Sequence, residues 1–368
     1  MKPSHVLQLE PLFKSNANSL SDAILKALSP DCKTTVAFLD TQENIKPGLV
    51  PSGAHYFPLH VKAKDVKGLR RLKYVKKIFE YCQQEKVDVL ISHRFKPLHL
   101  LSLVARRMPF QKKIAIMHGT KVFDKFTRKL LARWLMKSFT FVAVSQAVKE
   151  DLLNAGCGLK AEQIVVIHNA IDVQLTESTQ LNHDEARSAL NLPKDAFIFG
   201  HVGRLVNGKG QNYLIEAFHK ANIPNSHLVI IGDGYAEQGL RAQINTLQLK
   251  DKVHLLGEIP NAYRYMKAFD TFVLPSLQES FGMVLLEAMA ASLPIIAATT
   301  EGIPEVLGDL GYLCAPADSD TLAAALKKFQ AMSTEEAQHM GQQLNKRLHQ
   351  HFDIQRYYED YRKLCGVI

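Results

Sequence analysis

A chain of 368 residues with 46% hydrophobic residues is long enough for two domains, each with its own core. Its net charge is +9, but the excess is local: residues 62–137 hold 21 Lys/Arg against 5 Asp/Glu, leaving 24 basic and 31 acidic residues elsewhere. That distribution points to an acidic partner for the N-terminal half. The five cysteines show no C-x-x-C spacing and fit buried thiols in a reducing compartment. Residues 1–10 read as a strand rather than a signal peptide. The longest near-apolar run, Phe281 to Ala298, carries Glu287 and Pro294, which argues against a membrane span.

In chain order, His5 to Leu9 predicts a strand and Ser19 to Leu28 a helix. The loop between them has no glycine but offers Lys14, Ser15 and Asn16 as polar contacts. Thr34 to Leu39 predicts a second strand, and residues 46–58, rich in Pro and Gly, a loop. Val66 to Glu85 predicts a helix with Leu69, Leu72, Val75, Phe79 and Cys82 on its apolar side and Arg70, Arg71, Lys73, Lys76 and Lys77 elsewhere. Strands follow at Val87 to Ile91 and Ile114 to Met117, separated by a helix from Pro97 to Arg107. His118 then stands at the carboxyl end of a parallel strand, the edge where open α/β sheets bind ligands.

Phe123 to Phe139 predicts a basic amphipathic helix, with Phe126, Leu130 and Trp134 at helical spacing among Lys125, Arg128, Lys129, Arg133 and Lys137. Such a helix suits an anionic lipid surface, while core burial of Trp134 is the competing expectation. A strand at Phe141 to Val144 precedes Ser145, the expected N-cap of a helix from Gln146 to Ala155. A further strand from Ile164 leads into His168-Asn169-Ala170-Ile171-Asp172. Residues 173–194, polar with a short helix at Asp184 to Leu190, are expected to form a linker.

The second half repeats the strand-then-helix alternation, which implies parallel sheets. A strand from Phe197 runs into Gly203-Arg204-Leu-Val-Asn-Gly208-Lys209-Gly210, and a helix over Gln211 to Ala221 follows. Arg204 can grip phosphate oxygens in a fork and Lys209 adds a point charge. The run lacks the spacing of a Walker A loop. Leu228 to Gly234 predicts a strand ending in Gly-Asp-Gly, and Lys252 to Pro260 a strand and loop that include Ile259. Asp233 has no Asp-x-Asp partner or His cluster at metal-ligand spacing beside it. After a short strand at Asp270 to Pro275 come Glu279-Ser280-Phe281-Gly282-Met283-Val284 and, inside an apolar helix, Glu287. Free amides at that helix start favour an anion. A carboxylate inside the helix needs either a Lys/Arg partner or ligand hydroxyls.

Glu279 and Glu287, with seven residues between them, Gly203-Arg204…Lys209-Gly210, Gly232-Asp233-Gly234 and Glu301-Gly302-Ile303-Pro304-Glu305 together resemble the motifs of retaining nucleotide-sugar glycosyltransferases of the GT-B fold, the glycogen-synthase-like family 4 type. The resemblance covers nearly all of the C-terminal half. In the N-terminal half it rests on the order of elements and on His118 and Asn169. Ala170 and Glu301 each stand where that family usually has Gly, and the loop with Lys14 and Asn16 lacks the family's glycines.

The resemblance implies an α/β protein of two Rossmann-like domains with a central cleft: 1–172 for the acceptor, 173–194 as linker, 195–350 for the nucleotide-sugar, and 351–368 as a helix returning to the first domain. It implies that Arg204 and Lys209 hold the diphosphate and Glu287 the ribose hydroxyls. Glu279 and the Phe281-Gly282 backbone would hold the transferred sugar, with His118 on the sugar and acceptor side. Gly203, Gly234, Ile259, Ser280, Met283 and Val284 would complete the donor site, and Lys14, Asn16 and Asn169 the acceptor side. It further implies a UDP- or GDP-sugar donor, no cofactor and no metal ion. The acceptor would be an anionic glycan or lipid-linked glycan of lipopolysaccharide core or surface polysaccharide synthesis, met at the inner face of the cell membrane, and no nucleic acid is expected as partner. A sugar-nucleotide epimerase of similar fold and a non-catalytic basic protein binding membranes or polyanions are the alternatives.

Overall fold

The computed structural model describes residues 2–11, 20–39, 53–59, 61 and 68–368. They form two compact units: Met1–Asn169 with Ile354–Ile368, and Ala170–Asp353. Lys14 and Asn16 lie outside the described residues.

The first unit contains β1 (His5–Glu10), α1 (Leu20–Leu28), β2 (Lys33–Phe38), β3 (His55–Tyr56), α2 (Arg71–Gln84), β4 (Val89–His93), α3 (Phe95–Ala105), β5 (Lys112–Met117), α4 (Phe126–Leu135), β6 (Thr140–Ala143), α5 (Gln146–Asn154) and β7 (Ile164–Val166). Its strands run parallel in the order β3-β2-β1-β4-β5-β6-β7. Val6, Leu7, Leu9, Val89, Leu90, Ile91 and Ile114 are almost wholly buried, as expected where helices cover both faces of a parallel sheet. Ser145 caps α5 by accepting from the Val148 amide at 3.2 Å.

The apolar side of α2 differs from the expected one. Tyr74, Val75, Ile78 and Cys82 are buried, whereas Leu69 and Leu72 are exposed. Leu69 belongs to a separate 3-10 turn at Gly68–Arg70, so it cannot share the stripe of the helix that starts at Arg71. In α4 the alternative of core burial is overturned. Phe126, Leu130 and Trp134 are 77%, 46% and 74% exposed, and Ala132 is the buried residue.

The second unit contains α6 (Val173–Thr179), α7 (His183–Ala189), β8 (Phe197–Val202), α8 (Gln211–Ala221), β9 (Ser226–Ile231), α9 (Glu237–Thr246), β10 (Val253–Leu255), β11 (Thr271–Leu274), α10 (Met283–Ala290), β12 (Ile295–Ala298), α11 (Ile303–Leu307), β13 (Tyr312–Cys314), α12 (Ser319–Gln330) and α13 (Thr334–His351). Its parallel sheet has the order β10-β9-β8-β11-β12-β13. Leu214, Leu228, Ile230, Val273, Ile296 and Leu326 belong to its core.

Residues 173–194, expected as a linker, are instead part of this unit. Asp172 caps α6, and Asn182 with Glu185 forms a capping box on α7. Arg187 is fully buried, donating to the carbonyls of Ala268, Lys194 and Ala196 and pairing with Asp270 at 2.7 Å. A buried guanidinium with every arm satisfied ties this stretch to the unit. The unit boundaries fall at 169/170 and 353/354 because Ile171 bridges Asp353 and donates to the Phe352 carbonyl at 3.1 Å. Beyond them α14 (Ile354–Cys365) buries Tyr357, Tyr361 and Cys365 in the first unit, and Arg362 pairs with Asp31 at 2.8 Å.

Candidate active site

In the second unit the chain winds outward from β8 through β9 to β10, then returns to the other side of β8 for β11, β12 and β13. The β8/β11 junction is therefore a topological switch point, where the loops leaving two neighbouring strands diverge and open a crevice. Gly203–Gly210 leaves β8 there and Pro275–Gly282 leaves β11. The Leu277 and Gln278 amides both donate to the Gly208 carbonyl, at 2.9 and 3.2 Å. Gly210 adopts φ +69°, and a Cβ on it would lie 2.1 Å from the Pro275 carbonyl oxygen, so the two loops close on each other only with glycine there.

This closure brings Lys209 and Glu279 together as an ion pair, with side chains only 19% and 16% exposed. Arg204 keeps an exposed side chain, and no side-chain ion pair holds it among the described residues. Its backbone is fixed from below: Gln211 donates to the Arg204 carbonyl at 2.9 Å and lies 3.2 Å from His201 Nε2. His201, buried in β8, donates from Nδ1 to the Val273 carbonyl of β11 at 2.9 Å. Burial pushes its pKa down to about 4, so the ring is neutral and its Nε2 can accept from Gln211. His201 and Gln211 support the site and were not singled out from the sequence. The strand-interior position of His201 and the helix-start position of Gln211 were the available signals.

Gly282 caps α10 in the left-handed region, φ +88°, with no side-chain cap on the first turn. The amides of that turn lack intrahelical partners by helix geometry, and the helix dipole adds a partial positive charge. Leu285, Leu286, Ala288, Met289 and Ala290 are buried, whereas Met283, Val284 and Glu287, spaced i, i+1 and i+4, form a partly accessible face. No side-chain partner meets the Glu287 carboxyl among the described residues, and burial raises its pKa from 4.5 to about 7. The Lys/Arg partner considered for it from the sequence is therefore not found.

Phe281 is buried edge-on against Phe352, ring centres 5.8 Å apart, so only its backbone can face a ligand. Ser280 donates to Glu301 at 3.3 Å, and the Gly302 amide donates to the Glu279 carbonyl at 3.1 Å. The Pro294–Glu305 segment thus braces the Glu279 turn. Gly203 and Gly234 sit on the neighbouring loops, Gly234 against the Leu205 carbonyl. Ile259 is half-buried two residues beyond Gly257, whose carbonyl accepts from the Gly232 amide at 2.7 Å.

In the first unit His118 follows β5 and lies 3.0 Å from the buried His93 at the end of β4. Asn169 is buried at the end of that unit. Among the described residues, no group of three or more His, Cys, Asp or Glu side chains is placed to hold a metal ion.

Two Rossmann-like α/β units, one with a basic and acidic crevice at its switch point, define a protein of the GT-B class. Solved structures agree in fold. A glycosyltransferase from Rickettsia africae ESF-5 superposes with TM-score 0.85 at 18% identity, covering 98% of each chain. Anabaena Alr3699/HepE in complex with UDP gives 0.83 at 23%, covering 100% of each chain. The family models match in tandem: glycosyltransferase family 4 over residues 31–175 and glycosyl transferases group 1 over residues 182–347. The chain belongs to this glycosyltransferase family, and it is a transferase enzyme. Relatives include an N-acetyl-alpha-D-glucosaminyl L-malate synthase of Bacillus anthracis, 27% identical over 80% of this chain and 78% of the relative. Another is a UDP-Gal:alpha-D-GlcNAc-diphosphoundecaprenol alpha-1,3-galactosyltransferase of Escherichia coli, 28% identical over 65% of each. The match to the latter thus spans slightly less than two thirds of its length.

Proposed function

We propose that this glycosyltransferase moves a sugar from a UDP- or GDP-sugar to an anionic glycan or lipid-linked acceptor of lipopolysaccharide core or surface polysaccharide synthesis, keeping the anomeric configuration. The observation that carries the donor half is the Lys209–Glu279 pair at the switch point, beside the uncapped first turn of α10. As the sugar bond breaks, charge grows on the diphosphate. In this reading Lys209, Arg204 and the amides of Phe281–Val284 neutralise it without a metal ion. Glu287 accepts hydrogen bonds from the ribose hydroxyls and Glu279 from the transferred sugar, while the Lys209 ion pair holds the Glu279 side chain in place. In this reading the departing phosphate, not Glu279, takes the acceptor proton on the same face. His118 contacts the sugar on the acceptor side.

The acceptor half is supported by the first unit's surface. On α4 the exposed Phe126, Leu130 and Trp134 form one stripe among Lys125, Arg128, Lys129 and Arg133. An apolar stripe rimmed by cations suits the headgroup region of an anionic bilayer and supports a peripheral position at the inner face of the membrane. No helix among the described residues is long and apolar enough to cross a membrane. Relatives named for a diphosphoundecaprenol-linked acceptor and for lipopolysaccharide core biosynthesis are consistent with such an acceptor.

The test is a thermal-shift panel of nucleoside diphosphates and their sugars on the wild-type protein and on Lys209→Ala. A ligand at 100 times its Kd adds about 2.7 kcal/mol to stability. One base should raise the melting temperature of the wild type and do so much less for the variant. Once the donor is known, Lys209→Ala should turn over about 10²–10³-fold more slowly. A panel in which no nucleotide shifts the wild type would sink the donor assignment.

A further inference from the structure

We infer that His93 is a positioning residue for His118: it donates from Nδ1 to His118 Nε2, so that neutral His118 carries its own proton on Nδ1 and meets its ligand as a hydrogen-bond donor. This rests on the reading that His118 faces the sugar or acceptor. The two rings lie in nearly one plane, tilted by 16°, with centroids 5.2 Å apart and the facing nitrogens 3.0 Å apart. Nitrogens closer than the centroids at that tilt mean an edge-to-edge N–H···N bond rather than face stacking. One proton sits on that line, and its owner decides both tautomers.

His93 is 4% exposed, and its other nitrogen, Nε2, is buried with no hydrogen-bond partner among the described residues. Were His118 the donor, neutral His93 would have to keep its proton on Nε2, an N–H orphaned in the interior. Buried N–H groups without a partner are rare, because each gives up the hydrogen bond it made to water in the unfolded chain and gains none in return. Placing the proton on Nδ1 turns that group into a working donor and leaves a bare lone pair at Nε2. His93 does not escape the choice by protonating. Burial, then the neighbouring His118 and Arg94, holds its pKa well below the ordinary histidine value.

The position of His93 explains how the arrangement is built. It is the last residue of β4, pairs in register with Ile116 of β5, and so lies directly beside the residue that leaves β5 toward the ligand edge. A neutral His118 with Nε2 engaged cannot act as a base through that nitrogen. Its contribution to a ligand is then a directed N–H from Nδ1, suited to a sugar hydroxyl oxygen or a carboxylate of an acidic acceptor.

Nitrogen-15 NMR of the histidine-labelled wild-type protein tests this at a pH where both rings are neutral, with His93→Asn and His118→Asn spectra providing the assignments. Both rings should show the Nδ1–H pattern, and in His93→Phe the His118 ring should revert toward Nε2–H. In the donor assay, His93→Phe should lower kcat about tenfold to a hundredfold with little change in the donor KM. His93→Asn, which offers an amide N–H from nearly the position of Nδ1, should recover most of that loss. A His118 ring found as Nε2–H in the wild type overturns the proposal, and so does a His93→Phe variant with unchanged kcat. Either result leaves the transferase reading intact. If His93→Phe does not fold, the wild-type spectrum and His93→Asn still decide.

Discussion

Glu287 holds a carboxyl that its surroundings resist ionising, and that sets a pH dependence of known sign. With a folded pKa of about 7 against an ordinary 4.5, the native state binds more protons than the unfolded chain between those values. This group's contribution to stability is therefore complete below about pH 4.5 and lost as pH rises through 7. Glu287→Gln should remove that loss, leaving the variant more stable than wild type at pH 8 by about 1–3 kcal/mol and little different at pH 4.5, as read by urea unfolding. Hydroxyls of a bound nucleotide would favour the ionised form, so wild-type affinity should rise between pH 6 and 8 while that of the glutamine variant stays lower and flat, as read by calorimetry. Parallel pH curves for the two proteins would rule out Glu287 as the hydroxyl acceptor. An acid left unpartnered inside an apolar helix is legible in the sequence as an anomaly. Which of its two explanations holds is not, because a Lys or Arg partner could have come from any element packed against α10.

Among the elements, glycine in a helix shows how packing reverses a local rule. Gly239 lies in α9 with open space where a Cβ would stand, so Gly239→Ala should stabilise the protein by about 0.5–1 kcal/mol through helix propensity. Gly341 lies in α13, where a Cβ would come within 1.9 Å of the Ser292 carbonyl oxygen. Gly341→Ala should therefore destabilise, by about 1–3 kcal/mol, because the backbone after α10 has to move. Denaturant midpoints of the two variants should move in opposite directions, and a stabilised Gly341→Ala would show that the close approach of α13 is not tight. The longer helices and the buried strands were readable from periodicity and apolar runs. The stretch with α6 and α7 reads from sequence as a linker with one short helix, because two seven-residue, mostly polar segments carry little periodic signal. Their place was decided by the caps at Asp172 and Asn182 and by buried Arg187.

For the whole molecule, the uneven charge has a direct optical test. The chain contains a single tryptophan, Trp134, and it is 74% exposed on the cationic helix α4. Vesicles containing anionic lipid should shift its emission to the blue, with salt reversing the effect, and zwitterionic vesicles should leave it unchanged. No shift with anionic vesicles would remove α4 as the docking surface. By itself the amino-acid sequence determined the α/β class, the two-unit plan and the transferase family, because apolar periodicity and Gly-Arg, Lys-Gly and paired-Glu motifs are local properties of the chain. Only the tertiary structure decided that Lys209 meets Glu279, that Glu287 has no cationic partner among the described residues, that His93 backs His118 and that Trp134 is exposed. Each of these depends on which distant segments the strand order makes neighbours, and strand order is a property of the folded sheet rather than of any stretch of sequence.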